Sequence, residues 1–115
     1  MAQYAVMIFE REGAEMSPEA LAAHERLPER VAAQGGLIVA GLALEASTTA
    51  TAIRGDLITD GPFIETEAAM AGVFVIEARD LDHAIALAGL TPIVDGGVEV
   101  RPLLAFQILE ASHIR

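Results

Sequence analysis

The sequence predicts an α+β fold whose elements run β-α-β, then a short hairpin, then β-α-β. Three observations carry that expectation: short apolar runs at 3–9, 37–44 and 72–78, helix-start signals at Ser17-Pro18-Glu19 and Asp80, and two tight polar corners around Arg54-Gly55-Asp56-Leu57 and Asp60-Gly61-Pro62-Phe63.

Residues 3–9 are too short and too rich in Tyr, Val, Ile and Phe for a helix, so they are expected to form a first strand, apolar on both faces. After a charged loop at 10–16, Ser17 supplies an N-cap, Pro18 a first helical residue and Glu19 an acid in the first turn. The helix is expected to run to about Gln34, with Gly35-Gly36 as its stop. At ~100° per residue, Leu21, His24, Leu27, Pro28 and Val31 share one side of it, placing His24 in a buried stripe. Pro28 has no N–H and should kink that helix, leaving the His24 carbonyl in need of another partner.

Residues 37–44 are the second strand, and 48–53 with 57–59 a short hairpin leading into the Asp60 bend. Residues 72–78 are a further buried strand, and Asp80 caps a helix from Leu81 to about Leu90 with Leu81, Ala84, Ile85 and Ala88 inward. His83 falls off that stripe and is expected in solvent. Gly96-Gly97 opens a last strand, 98–103, where Pro102 marks a strand end or sheet edge. The apolar tail, 104–109, is expected to extend that strand or to cross to a partner.

Two helices cover only one face of such a sheet, yet the strands at 3–9, 37–44 and 72–78 are apolar on both. A second cover is needed, most economically the same face of another copy, so the pattern predicts a homodimer.

With 115 residues and 53% hydrophobic content, the chain reads as one domain, 1–115, with a real core. A net charge of −10 and 4% aromatic content argue against a nucleic-acid partner. The absence of cysteine removes disulfides and thiol chemistry, and the absence of lysine removes Schiff-base chemistry. The start of the chain has no basic leader, and no apolar run approaches the ~20 residues of a membrane span, so a soluble cytoplasmic protein without membrane contact is expected.

At the bend Thr59-Asp60-Gly61-Pro62-Phe63-Ile64-Glu65-Thr66, Gly61 precedes a proline and is pushed toward extended backbone, while Asp60 bonds its own downstream chain. Asp60 either closes the turn or presents a fixed carboxylate. For His24, likewise, the alternatives are a core histidine satisfied by one hydrogen bond and a working imidazole. No metal site is expected, because His24, His83 and His113 are scattered, and no cofactor, because Gly35-Gly36 and Gly96-Gly97 lack the remainder of a dinucleotide loop.

The bend Asp60-Gly61-Pro62-Phe63, the following Glu65-Thr66, the strand at 72–78, Asp80-Leu81-Asp82 with Ala84, and Gly97-Val98-Glu99-Val100-Arg101-Pro102-Leu103 together resemble the YCII-related family in its DGPF-domain branch, over nearly the whole chain. The resemblance implies a ferredoxin-like β-α-β-β-α-β sandwich with an inserted hairpin, dimerising into an α+β barrel. It also implies that a histidine of the first helix and an aspartate of the loop approach each other in a small cavity; the matching positions are His24 and Asp60. The chain departs from the family pattern at Glu67, where a lysine is common, and at Pro28 inside the first helix.

An Asp60 carboxylate on one ring nitrogen of His24 would fix the tautomer and leave the other nitrogen as a general acid or base. That chemistry suits a cofactor-independent lyase, isomerase or hydrolase acting on a small polar or anionic molecule. Arg54 and Arg101 are candidate cations for such a substrate and Thr59 and Thr66 candidate hydroxyl donors, although surface pairing and turn bonding account for the same residues. The alternative is a non-catalytic dimer that binds a ligand or a protein, with the His/Asp pair as a structural bridge.

Overall fold

A computed structural model of the protein describes residues 1–109. It is a mixed α+β structure with the elements β1 (Ala2–Arg11), α1 (Pro18–Glu25), α2 (Leu27–Ala33), β2 (Leu37–Ala43), β3 (Thr51–Arg54), β4 (Leu57–Asp60), β5 (Ala68–Ala78), α3 (Leu81–Ala88) and β6 (Gly96–Pro102). A 3-10 turn at Ser47–Thr49 joins β2 to β3. Four strands form an antiparallel sheet in the order β2-β5-β1-β6, while β3 and β4 pair with each other as a separate ribbon.

Strand alternation divides the sheet into two unlike faces. Tyr4 and Val6 of β1 and Phe74, Ile76 and Ala78 of β5 point to one side and are buried with Leu27 and Val31 of α2 and Ala84, Leu87 and Ala88 of α3. The pairings Val6↔Phe74 and Ala5↔Val75 put Ala5, Met7, Val73 and Val75 on the other side, which contributes nothing to that core. This second face is apolar and half-buried at its centre, and Arg101 reaches its edge opposite Ala5.

β2 carries one extra residue. Ile38 is opposite Ile76 but Ala40 is opposite Val75, so Val39 is a bulge. Beyond it, Gly41 pairs with Phe74 and Ala43 with Gly72, on the helix side of the sheet, and Leu42 pairs with Val73 on the other.

The helices depart from expectation in three ways. The first is broken in two at Arg26 (φ −90°, ψ −4°), ahead of Pro28, which lies in the first turn of α2. There a missing N–H costs nothing, whereas inside a continuous helix it would remove a hydrogen bond and crowd the preceding turn. Second, α1 buries no residue: Leu21 is 53% exposed, Pro28 is exposed, His24 is half-buried, and only Leu27 and Val31 of the expected stripe reach the core. Third, α3 is rotated from its expected face, with Leu81 and Ile85 exposed and His83 only 7% exposed.

His83 is held by backbone groups. The Arg79 N–H donates to its Nδ1 at 3.0 Å, so the proton resides on Nε2, which lies 2.7 Å from the Gln34 carbonyl oxygen and donates to it. The Asp80 side chain accepts from the His83 N–H at 2.9 Å and caps α3. The imidazole thus ties the end of α2 to the start of α3, which removes it from solvent and corrects the sequence expectation.

Gly96 begins β6 where a β-carbon would collide with the Phe9 carbonyl oxygen of β1. Gly96→Ala is therefore expected to destabilise the fold by about 2 kcal/mol through displacement of β6. The urea midpoint measures this, and an unchanged midpoint would refute the close packing. Past β6, the Leu103 N–H still reaches the Gln3 carbonyl at 3.0 Å, but residues 104–109 form no strand, against the expected extension. The remainder of the 104–115 tail, with Ser112 and His113, lies outside the described residues.

Candidate functional site

Between α1 and the sheet is a cavity of about 530 Å³, at the end of the molecule where β1 and β2 finish and β5 begins. Its origin is a shortage of side-chain volume. Gly41, Ala43 and Gly72 supply the floor on the helix side of the sheet, and α1, which buries nothing, leaves the space above them open. Leu21, Leu27, Ile38 and Phe74 line the walls, and Met16 stands in the segment leading to α1.

Among the described residues, two titratable side chains, His24 and Glu10, line this cavity. Glu10 is already engaged: its Oε2 accepts the Val94 N–H at 2.9 Å and its Oε1 the Asp95 N–H at 2.7 Å. The carboxyl group thereby anchors the loop before β6, assisted by the Arg11 to Asp95 ion pair at 2.9 Å. His24, from the last turn of α1, has no side-chain hydrogen bond to any described residue. It is the wall group free to exchange a proton or a hydrogen bond with an occupant.

Asp60 closes β4 opposite Thr51 and is exposed. Within the protomer it does not line the cavity that holds His24, and no hydrogen bond or ion pair among the described residues joins the two. Its corner is nevertheless well built. The Gly61 N–H donates to the Ala50 carbonyl at 2.7 Å, and Gly61 takes φ +103°, in the left-handed region that favours glycine, where extended backbone was expected before Pro62. Arg54 lies over the Phe63 ring, 4.2 Å from its centroid, and donates to the Phe63 carbonyl at 3.2 Å. This guanidinium stiffens the corner.

The other candidate groups also have local partners or none. Arg101 pairs with Glu99 along β6, and Thr66 Oγ1 donates to the Ala68 carbonyl at 2.5 Å. Thr59 is exposed on β4 and makes no side-chain hydrogen bond among the described residues. None of Arg54, Thr59, Thr66 and Arg101 lines the cavity of His24. Glu67 lies 3.8 Å from Arg11 in an exposed ion pair. Among the described residues, no group of three or more His, Asp or Glu side chains is placed to hold a metal ion, and no helix is long and apolar enough to cross a membrane.

The family resemblance implied a small cavity at His24, but sequence reasoning missed its apolar lining and Glu10 on its wall. The signal lay in the small residues at 41, 43 and 72, which converge only once β2 and β5 are paired in register. The sequence matches the YCII-related domain over residues 2–107. No curated protein matches it significantly.

Proposed function

The chain belongs to the YCII-related domain family, and from that premise we propose that it acts as a homodimer with a proton-transfer site at His24 in each protomer. The observation that carries this reading is the cavity of about 530 Å³ whose wall presents one uncommitted imidazole. A neutral imidazole accepts a proton at one nitrogen while donating at the other, which equips it for general acid–base steps on a bound small molecule.

Asp60 completes the pair in this proposal, delivered to His24 by assembly of two copies. Support comes from the β3–β4 ribbon that carries it, which stands apart from the main sheet and exposes Ile53, Leu57, Ile58 and Phe63. Such an apolar arm needs a surface to lie on. The antiparallel order β2-β5-β1-β6 supports a ferredoxin-like chain with that ribbon as its insertion, and the apolar second face of the sheet supports closure into a dimeric α+β barrel. The corner Asp60-Gly61-Pro62-Phe63 supports the DGPF branch, and the absence of a membrane-spanning helix among the described residues is consistent with a cytoplasmic protein.

His24→Ala and Asp60→Asn variants that remain folded and dimeric are each expected to lose turnover by about a hundredfold or more. A screen of small enolisable and hydrolysable compounds against the wild type identifies the reaction to be followed. Undiminished turnover in both variants would remove the acid–base reading and leave the dimer as a binding protein.

A further inference from the structure

Resting on the site at His24, we infer that its ligand is an uncharged molecule with a compact apolar body and one hydrogen-bonding group, in place of the polar or anionic molecule expected from sequence. The wall composition leads to this class. Around His24 stand Leu21, Leu27, Ile38 and Phe74, and no arginine among the described residues contributes to the cavity. An anion would therefore meet no guanidinium, and the other titratable wall residue, Glu10, is an acid on a protein of net charge −10. A polyol fares no better, because burying several hydroxyls against Leu, Ile and Phe without partners is unfavourable.

The binding capacity of the wall is correspondingly simple. The Val94 and Asp95 N–H groups hold the Glu10 carboxylate toward the loop before β6, whereas the His24 ring has no partner among the described residues and is the side chain placed to orient a ligand. The apolar body would fill the hollow over Gly41 and Gly72, displacing water from small-residue backbone, and its single hydroxyl or carbonyl would meet the imidazole. At about 530 Å³ the cavity has ample room for one ring with a short substituent.

Four probes of similar size test the class: cyclohexylmethanol, cyclohexanecarboxylate, cyclohexylmethylammonium and myo-inositol, each titrated into the intact protein at one pH and followed by calorimetry and amide and methyl chemical shifts. Cyclohexylmethanol is expected to bind saturably in the high-micromolar to millimolar range, at least about tenfold tighter than the other three, with the largest shifts at Leu27, Ile38 and Phe74. Gly41→Leu should abolish this binding. A β-carbon at Gly41 comes no closer than 3.9 Å to Phe74, so the added side chain enters the hollow without forcing the backbone. His24→Leu should weaken the alcohol about five- to tenfold by removing its hydrogen bond while keeping the apolar contact.

Tighter binding of the carboxylate, the ammonium ion or the polyol would overturn the inference, as would absence of alcohol binding at millimolar concentration. Alcohol binding with shifts confined to other parts of the molecule would overturn it too, whether or not Gly41→Leu folds. Loss of the acid–base reading gives a different signature: alcohol binding persists while His24→Ala and Asp60→Asn leave turnover unchanged.

Discussion

Replacing Val75 by Asp is expected to split the proposed dimer. Val75 lies mid-way along β5, opposite Ala5 of β1 and Ala40 of β2, on the sheet face turned away from the helices. In a protomer alone this face meets water, where a carboxylate is tolerated. In an isologous interface the substitution occurs twice, and each new carboxylate would be buried among Ala, Val and Met without a partner. A penalty of about 3 kcal/mol or more corresponds to a loss of over a hundredfold in dimer affinity. Sedimentation equilibrium reads the change, with circular dichroism verifying that the protomer stays folded. If Val75→Asp sediments as a dimer with wild-type affinity, that face is not the interface; if the wild type is a monomer at millimolar concentration, the barrel itself is ruled out.

The second large effect concerns the histidine that the sequence placed in water. His83→Ala is expected to destabilise the fold by about 3 kcal/mol, equivalent to roughly 12 °C in Tm for a chain of this size. Truncation leaves the Arg79 N–H and the Gln34 carbonyl without their ring partners in a half-buried setting, and opens a void beside the core. His24→Ala provides the contrast, since that ring has no bond among the described residues; its cost should be below about 1 kcal/mol. Equal melting temperatures for the two variants would contradict the assignment of one imidazole to architecture and the other to the cavity.

The two histidines also show where sequence reading succeeds and where it stops. The strands were legible because alternating and continuous apolar runs leave few alternatives: β1, β5 and β6 fall where expected, and the ribbon turns at Arg54-Gly55-Asp56-Leu57. The caps at Ser17 and Asp80 were legible from residue type, and both side chains accept the expected backbone N–H. Helix faces were less so. On α3, a stripe through Leu81 and Ile85 and one through His83, Ala84 and Leu87 differ by a modest rotation, and the choice is made by backbone groups at Arg79 and Gln34. The latter belongs to another helix's end, so no local pattern announces it.

The site was legible in part for the same reason. The sequence directs attention to His24, which the fold places on a cavity wall. Surface pairing for Arg54 and Arg101 and turn bonding for Thr66 stand among its alternatives, but the partners, Phe63 for Arg54, Glu99 for Arg101 and Ala68 for Thr66, depend on which side of a strand or turn each residue occupies. Asp60 sits in the stiff corner foreseen for it, apart from His24 within the protomer, and only the proposed dimer would bring the two together.

The additional residue in β2 has a bearing on how this protein can vary. The bulge would absorb a deletion of Val39: Ile38 and Ala40 already face the consecutive residues Ile76 and Val75, so without Val39 the same pairings would stand, with Gly41 still on the cavity side and Leu42 still on the other. Loss of one residue from β2 is therefore taken up at the bulge, as a change of length in the ribbon tip is taken up at Gly55, and both leave the phase of every sheet strand intact.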